Sequence, residues 1–151
     1  MSTMSTTSLP THRASVVCRV SADAALAFLA DGLQLGQWAM GCWQTRFVGD
    51  GVVQGHSLFD DQPSWVRPVA DAARLTVVYH VGSSPDALSP RISAVVEPGA
   101  AFGQGNDCCR IALHASRTPG MDDDRWLRLV RCHEVEVLLI QARLDLQKHQ
   151  R

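Results

Sequence analysis

His133 is the residue of this chain that packing explains least. It stands among Trp126, Leu129, Val130, Val137 and Ile140, positions that share one face of a helix, where a helix built only to pack would carry leucine. A neutral imidazole there can bind a ligand carbonyl or hydroxyl, and it can act as a general acid or base if its pKa stays near 7. The competing reading is a core histidine satisfied by one backbone or side-chain partner. A second group is aromatic. Trp65 and Arg67 alternate onto the same face of a short strand, with Phe59 and Tyr79 on neighbouring strands, an arrangement able to stack an aromatic ligand and anchor a carboxylate or enolate. The plainer alternative is that Trp and Tyr fill the core while Arg67 snorkels to solvent. Trp38 and Trp43 flank Met40-Gly41-Cys42, and at least one of them is expected to serve packing.

Other chemistries find no support in the spacing. His56, His80 and His114 fall on strands without a partner at metal-ligand spacing, and His80 and His114 alternate onto the polar face, so no metal site is expected. Cys108 and Cys109 are adjacent in a strand and point to opposite faces, which suits neither a bridge nor a shared ion. There is no G-x-S-x-G, no glycine-rich phosphate loop and no paired-carboxylate arrangement of definable geometry, and no cofactor is expected.

The composition sets the frame for these residues. A chain of 151 residues is the usual size of one domain, and 46% hydrophobic against 19% charged residues is ordinary for a packed globular protein. The net charge of -1 provides no basic field for nucleic acid or anionic lipid. Five cysteines, Cys18, Cys42, Cys108, Cys109 and Cys132, lack C-x-x-C spacing and read as reduced thiols of a cytoplasmic protein. No stretch of about 18 apolar residues suggests a membrane span. The Ser/Thr-rich start lacks the apolar region of a secretory signal, so residues 1–12 are expected to be a disordered tail and 13–149 the domain.

The elements follow from punctuation and periodicity. Arg13–Val20 reads as a strand, Ser21 as an N-cap, Ala22–Asp31 as a helix closed by Gly32, and Leu33–Trp38 as a second short helix. Six short β-type runs follow, near Trp43–Val48, Gly51–Phe59, Trp65–Ala70, Arg74–Val81, Arg91–Glu97 and Cys108–Ser116, with Gly49-Asp50 as the first hairpin turn. Alternation makes one sheet face dry through Leu75, Val77, Tyr79, Val81, Ile92, Ala94, Val96, Cys109, Ile111 and Leu113. Its cover is a long helix that begins at Asp122-Asp123-Asp124, after Pro119-Gly120, and runs to about Lys148. Trp126, Leu129, Val130, His133, Val137, Ile140 and Leu144 form its inner stripe.

This order of elements resembles the helix-grip fold of the SRPBCC (START-like) superfamily, especially its polyketide-cyclase-like branch. The resemblance spans Arg13 to Gln147 and rests on Val20-Ser21-Ala22-Asp23 at the strand-to-helix entry, Trp38 closing the second helix, Gly51 to Phe59, and the final His133 to Leu146 segment. It implies an α+β fold in which a seven-stranded antiparallel sheet wraps the C-terminal helix, with two short helices between the first and second strands. It also implies a cavity between sheet and helix, open near the short helices and so near Trp38 and Trp43. The residues expected to line it are Trp38, Trp43, Phe59, Trp65, Arg67, Tyr79, Trp126, Val130, His133 and Val137, with His133 as the catalytic candidate. The superfamily has no invariant catalytic set, so three roles stay open. They are a carrier for a hydrophobic metabolite or lipid, a cofactor-independent cyclase, dehydratase or isomerase, and a chaperone-activator-like interaction domain. Opposite the inner stripe, Val135, Leu139, Ala142 and Leu146 form a second apolar stripe, either covered by the Pro98–Asn106 loop or used in a homodimer.

Overall fold

Ser21 starts the first helix as its side chain predicts: the hydroxyl accepts a hydrogen bond from the Ala24 N–H at 3.1 Å. In the computed structural model, which describes residues 9–149, it stands between strand β1 (Thr11–Cys18) and helix α1 (Ala22–Ala30). The strand therefore begins two residues before the expected domain boundary and includes His12. Residues 1–8, the rest of the expected tail, lie outside the described residues.

Helix α1 ends on Asp31, whose carboxylate caps the next helix by accepting from the Leu33 N–H at 2.9 Å. Gly32 is thus the first residue of α2 (Gly32–Leu35) rather than the closing glycine of α1. Its smallness has another cause, since a Cβ there would meet Val53 Cγ1 at 2.6 Å. Helix α2 is shorter than the expected Leu33–Trp38, and Trp38 leaves it in a tight turn, buried at 3% exposure.

Six strands follow: β2 (Trp43–Gly49), β3 (Val52–His56), β4 (Pro63–Asp71), β5 (Thr76–Gly82), β6 (Ser89–Pro98) and β7 (Cys109–Ser116). The β2–β3 turn is Asp50-Gly51 rather than Gly49-Asp50, because Gly49 still pairs with Val52 and both turn residues have positive φ, 55° and 73°. That pattern matches the twist of the flanking strands. The antiparallel sheet has the order β1-β7-β6-β5-β4-β3-β2, a meander whose last strand pairs with the first.

The concave face carries the core, including Ala14, Cys18, Val53, Val66, Val77, Tyr79, Ala94, Val96, Ile111 and Leu113. Helix α1 covers it with Ala25, Leu26, Phe28 and Leu29. Helix α3 (Asp123–His149) packs against β1 and β7. Asp122 starts α3 by accepting from the Arg125 N–H at 2.8 Å. Arg117 fixes the preceding turn, pairing with Asp123 at 2.8 Å and donating to the Met121 carbonyl at 3.0 Å. The inner stripe of α3 is uneven. Val137, Ile140 and Leu144 are buried, whereas Trp126, Leu129 and Val130 are only half-buried.

Candidate functional site

The half-buried part of α3 stands over a cavity of about 500 Å³. Its α3 wall is a stripe at spacings of four, three and four: Arg125, Leu129, Cys132 and Glu136, with His133 beside it. At about 100° per residue these four positions fall within roughly 60° of one another, next to the packing stripe rather than on it. Opposite stand Val81, Gly82 and Ile92 from the sheet, and Phe59 from the β3–β4 loop. Met121 and Ser116 close one side. A smaller space of about 110 Å³ lies deeper, lined by Leu35, Trp38, Ala39, Cys42, Val66 and Tyr79. Gly41, Val81, Ile92 and Glu136 border both, so Glu136 stands where the outer cavity gives way to the inner one.

Glu136 is 6% exposed, and one of its oxygens, Oε2, accepts from the Met40 N–H at 2.8 Å. Burial drives its carboxyl up to about 8, against a smaller opposing effect of that hydrogen bond. It is therefore mostly a neutral acid, a hydrogen-bond donor, at pH 7. His133 moves the other way. Burial, reinforced by the nearby His12, pushes it down to about 4, leaving a neutral imidazole. His133 Nε2 lies 3.9 Å from Glu136 Oε1, beyond hydrogen-bond range, and with both groups neutral this is not an ion pair. The His12 and His133 rings are 6.0 Å apart, and His12 Nε2 and His133 Nδ1 are buried without a hydrogen-bond partner among the described residues. Cys132 is raised to about 11, chiefly by burial, so it presents a thiol and not a thiolate nucleophile.

Four of the ten expected contacts line these spaces. Phe59 and His133 face the outer cavity, and Trp38 and Tyr79 the inner one. Phe59 does so from a loop, because β3 ends at His56, and the Arg128 guanidinium lies 4.8 Å over its ring. Tyr79 packs edge-on against Trp38 at 5.7 Å and spends its hydroxyl on the Leu29 carbonyl at 2.7 Å. The Trp38 indole N–H, by contrast, is buried without a partner among the described residues.

The other six lie elsewhere. Val66 points into the core, so alternation turns Trp65 and Arg67 to the convex face, where Arg67 Nε donates to the Asp50 carbonyl at 3.0 Å. Trp43 opposes His56 at the start of β2 and lines neither space. Trp126 and Val130 are half-buried beside the cavity, and Val137 is sealed in the core. Among the described residues no group of three or more His, Cys, Asp or Glu side chains could hold a metal ion.

Glu136 is the main residue that the sequence reading missed. It lies three residues after His133, so helical geometry alone puts both within 60° on the helix surface. Counting only apolar residues on the stripe hides it. His12 was hidden by its assignment to the tail.

No protein-family model matches the chain, and no curated protein matches it. Solved structures do. The chain is similar to the Zhui aromatase/cyclase from Streptomyces sp. R1128 at 16% identity and a TM-score of 0.65, covering 91% of this chain and 94% of that one. A START superfamily protein from Mycobacterium smegmatis matches at 10% identity and a TM-score of 0.62, covering 91% and 98%. The Aha1 dimer from Colwellia psychrerythraea matches at 13% identity and a TM-score of 0.63, covering 90% and 96%. At these identities the likeness shows a START-like helix-grip fold and no more.

Proposed function

We propose that this START-like helix-grip domain binds a largely apolar small molecule beneath the N-terminal half of α3, with a carbonyl or hydroxyl of the ligand meeting Glu136. The observation that carries this reading is the continuity of the two spaces around a buried, protonated carboxyl. Apolar walls take up hydrophobic surface, while Glu136 and the unpartnered Trp38 N–H offer donors that fix orientation. Native mass spectrometry of protein purified from its own host tests it: a co-purified molecule displaced by Leu129→Trp is the expected result. A protein that is always empty and takes up no apolar probe contradicts it.

One observation favours a second reading, that the pocket also moves a proton on its ligand. Burial holds the Glu136 carboxyl up to about 8 where the two spaces meet, which suits it as proton donor in a cyclisation, dehydration or isomerisation without a cofactor. His133, pushed down to about 4 and so away from the range near 7 that a general base needs, is left as a neutral hydrogen-bonding group rather than the expected acid or base. Under this reading Glu136→Gln keeps the co-purified molecule bound and abolishes its conversion. Unchanged conversion removes the acid role.

We also propose a homodimer through the outer face of α3 and, from its five free thiols, a reducing cytoplasmic setting. Val135, Leu138 and Leu146 are 44%, 58% and 47% exposed on that face. Leu139 is half-buried against the core, so Leu138→Glu is the better probe, and light scattering should show the parent at twice the mass of the variant. Equal masses contradict the dimer. No helix among the described residues is long and apolar enough to cross a membrane.

A further inference from the structure

The mouth of the outer cavity is not apolar. Arg91, Arg125 and Arg128 stand on its lining, against the single unburied carboxylate there, Asp60. Among the described residues none of the three arginines has a carboxylate within 4.0 Å, although Arg74, Arg110, Arg117 and Arg131 all do. The chain as a whole carries a net charge of -1, so this cationic rim is a local feature.

Two local structures aim it. On α3, Arg125 lies on the stripe that leads through Leu129 and Cys132 to Glu136, with Arg128 one turn on, and the Asp122 cap fixes where that stripe begins. On the sheet, Tyr79 pairs with Ile92 but His80 pairs with Pro90, which makes Arg91 the extra residue of a β-bulge. In a regular strand Arg91 and Ile92 would face opposite sides; with the bulge both line the cavity. The rim thus combines a helix wall and a re-aimed strand residue from the opposite side.

Resting on the cavity reading above, we infer that the ligand is an anionic amphiphile, whose carboxylate, sulfonate or phosphate group lies between Arg91, Arg125 and Arg128 while its apolar body runs inward toward Glu136. The dimensions agree. From Arg125 to Glu136 the helix rises 1.5 Å per residue, about 16 Å in all, the length of an aromatic body of two or three rings with its anionic substituent. The polarity agrees as well: the inner end presents a neutral donor and the outer end fixed positive charge. Guanidinium forks suit the paired oxygens of such an anion, and Phe59 beneath Arg128 holds one of them in place.

Two fluorescent probes with the same aromatic frame separate this inference from the reading it rests on. N-phenyl-1-naphthylamine is neutral, and 1-anilinonaphthalene-8-sulfonate adds one negative charge. The parent is expected to bind the sulfonate about tenfold more tightly than the neutral probe at low salt. Substituting Arg91→Gln, Arg125→Gln and Arg128→Gln together, all at exposed positions, should bring that ratio near one, and 1 M salt should shrink it in the parent. Leu129→Trp should abolish binding of both probes. Equal affinities in the parent, a preference that survives the triple substitution, or sulfonate binding that survives Leu129→Trp overturns the anion inference while neutral-probe binding leaves the cavity reading standing. Failure of the neutral probe to bind the parent overturns both.

Discussion

The two halves of α3 face the same sheet and do different things. From Val137 onward the inner face of the helix is packed: Val137, Ile140 and Leu144 are 4%, 0% and 1% exposed, in contact with the core that includes Ala14, Cys18, Ile111 and Leu113. Gln141 adds a hydrogen bond across to the Val17 carbonyl of β1 at 2.8 Å. Before His133, Trp126, Leu129 and Val130 are only half-buried, and of the α3 residues that line the open space all but Leu129 are charged, polar or titratable. His133 and Glu136 sit at the border. The comparison teaches that one helix can anchor the fold with one end and furnish a binding wall with the other, provided the wall is rotated away from the packing stripe.

Truncation at the two ends should separate them most. Ile140→Ala removes a fully buried side chain from a site with little room to collapse, and urea unfolding should show a loss of about 2–5 kcal/mol. Leu129→Ala faces an existing cavity and should lose less than about 1 kcal/mol. Equal losses would mean that the N-terminal half is packed as tightly as the other.

The border carries a pH signature whose sign follows from the two shifts. The folded pKa of Glu136 is raised from 4.5 to about 8, so its contribution is fully present below the unfolded value and lost as pH rises toward 8. The folded pKa of His133 is depressed from 6.5 to about 4, so its contribution is present above 6.5 and lost as pH falls toward 4. Between about 4.5 and 6.5 the two slopes oppose and nearly cancel. From 6.5 to 8 only Glu136 acts, and stability should fall by about 2 kcal/mol, measurable as a declining urea midpoint. Glu136→Gln should flatten that fall and, with the opposing slope removed, leave stability rising with pH between about 4.5 and 6.5. A fall that persists in the variant would place its cause elsewhere.

The smallest expected effect lies at an aromatic residue that the fold turns away from the cavity. Trp65→Phe on the convex face should leave probe affinity within about twofold, whereas Trp38→Phe, which removes the unpartnered N–H of the inner space, should weaken binding of a carbonyl-bearing ligand about three- to tenfold. Isothermal titration compares the two, and a reversed order would move the pocket to the other side of the sheet.

Much of this fold was legible because periodicity and punctuation act locally. Ser21 and Asp122 cap through their own side chains, and the alternation of Val77, Tyr79, Ala94, Val96, Ile111 and Leu113 reports one buried face. The site was less legible because it depends on small rotations and single insertions. Trp65 and Arg67 share a face, as expected, but Val66 between them takes the core side. Arg91 reaches the cavity only through a bulge, which no residue of the Ser89-Pro90-Arg91-Ile92 run announces. Glu136 was overlooked because a carboxyl on an inner helical face normally argues against burial. Here the Met40 N–H and a neutral protonation state make burial tolerable.

The central claim, that the N-terminal half of α3 roofs a binding cavity and the C-terminal half does not, is tested most directly by methyl NMR during titration with N-phenyl-1-naphthylamine. The account predicts saturable shifts at Val81, Ile92, Met121 and Leu129, with Ile140 and Leu144 unmoved. Shifts confined to Ile140 and Leu144, or no shifts at saturating probe, would contradict it.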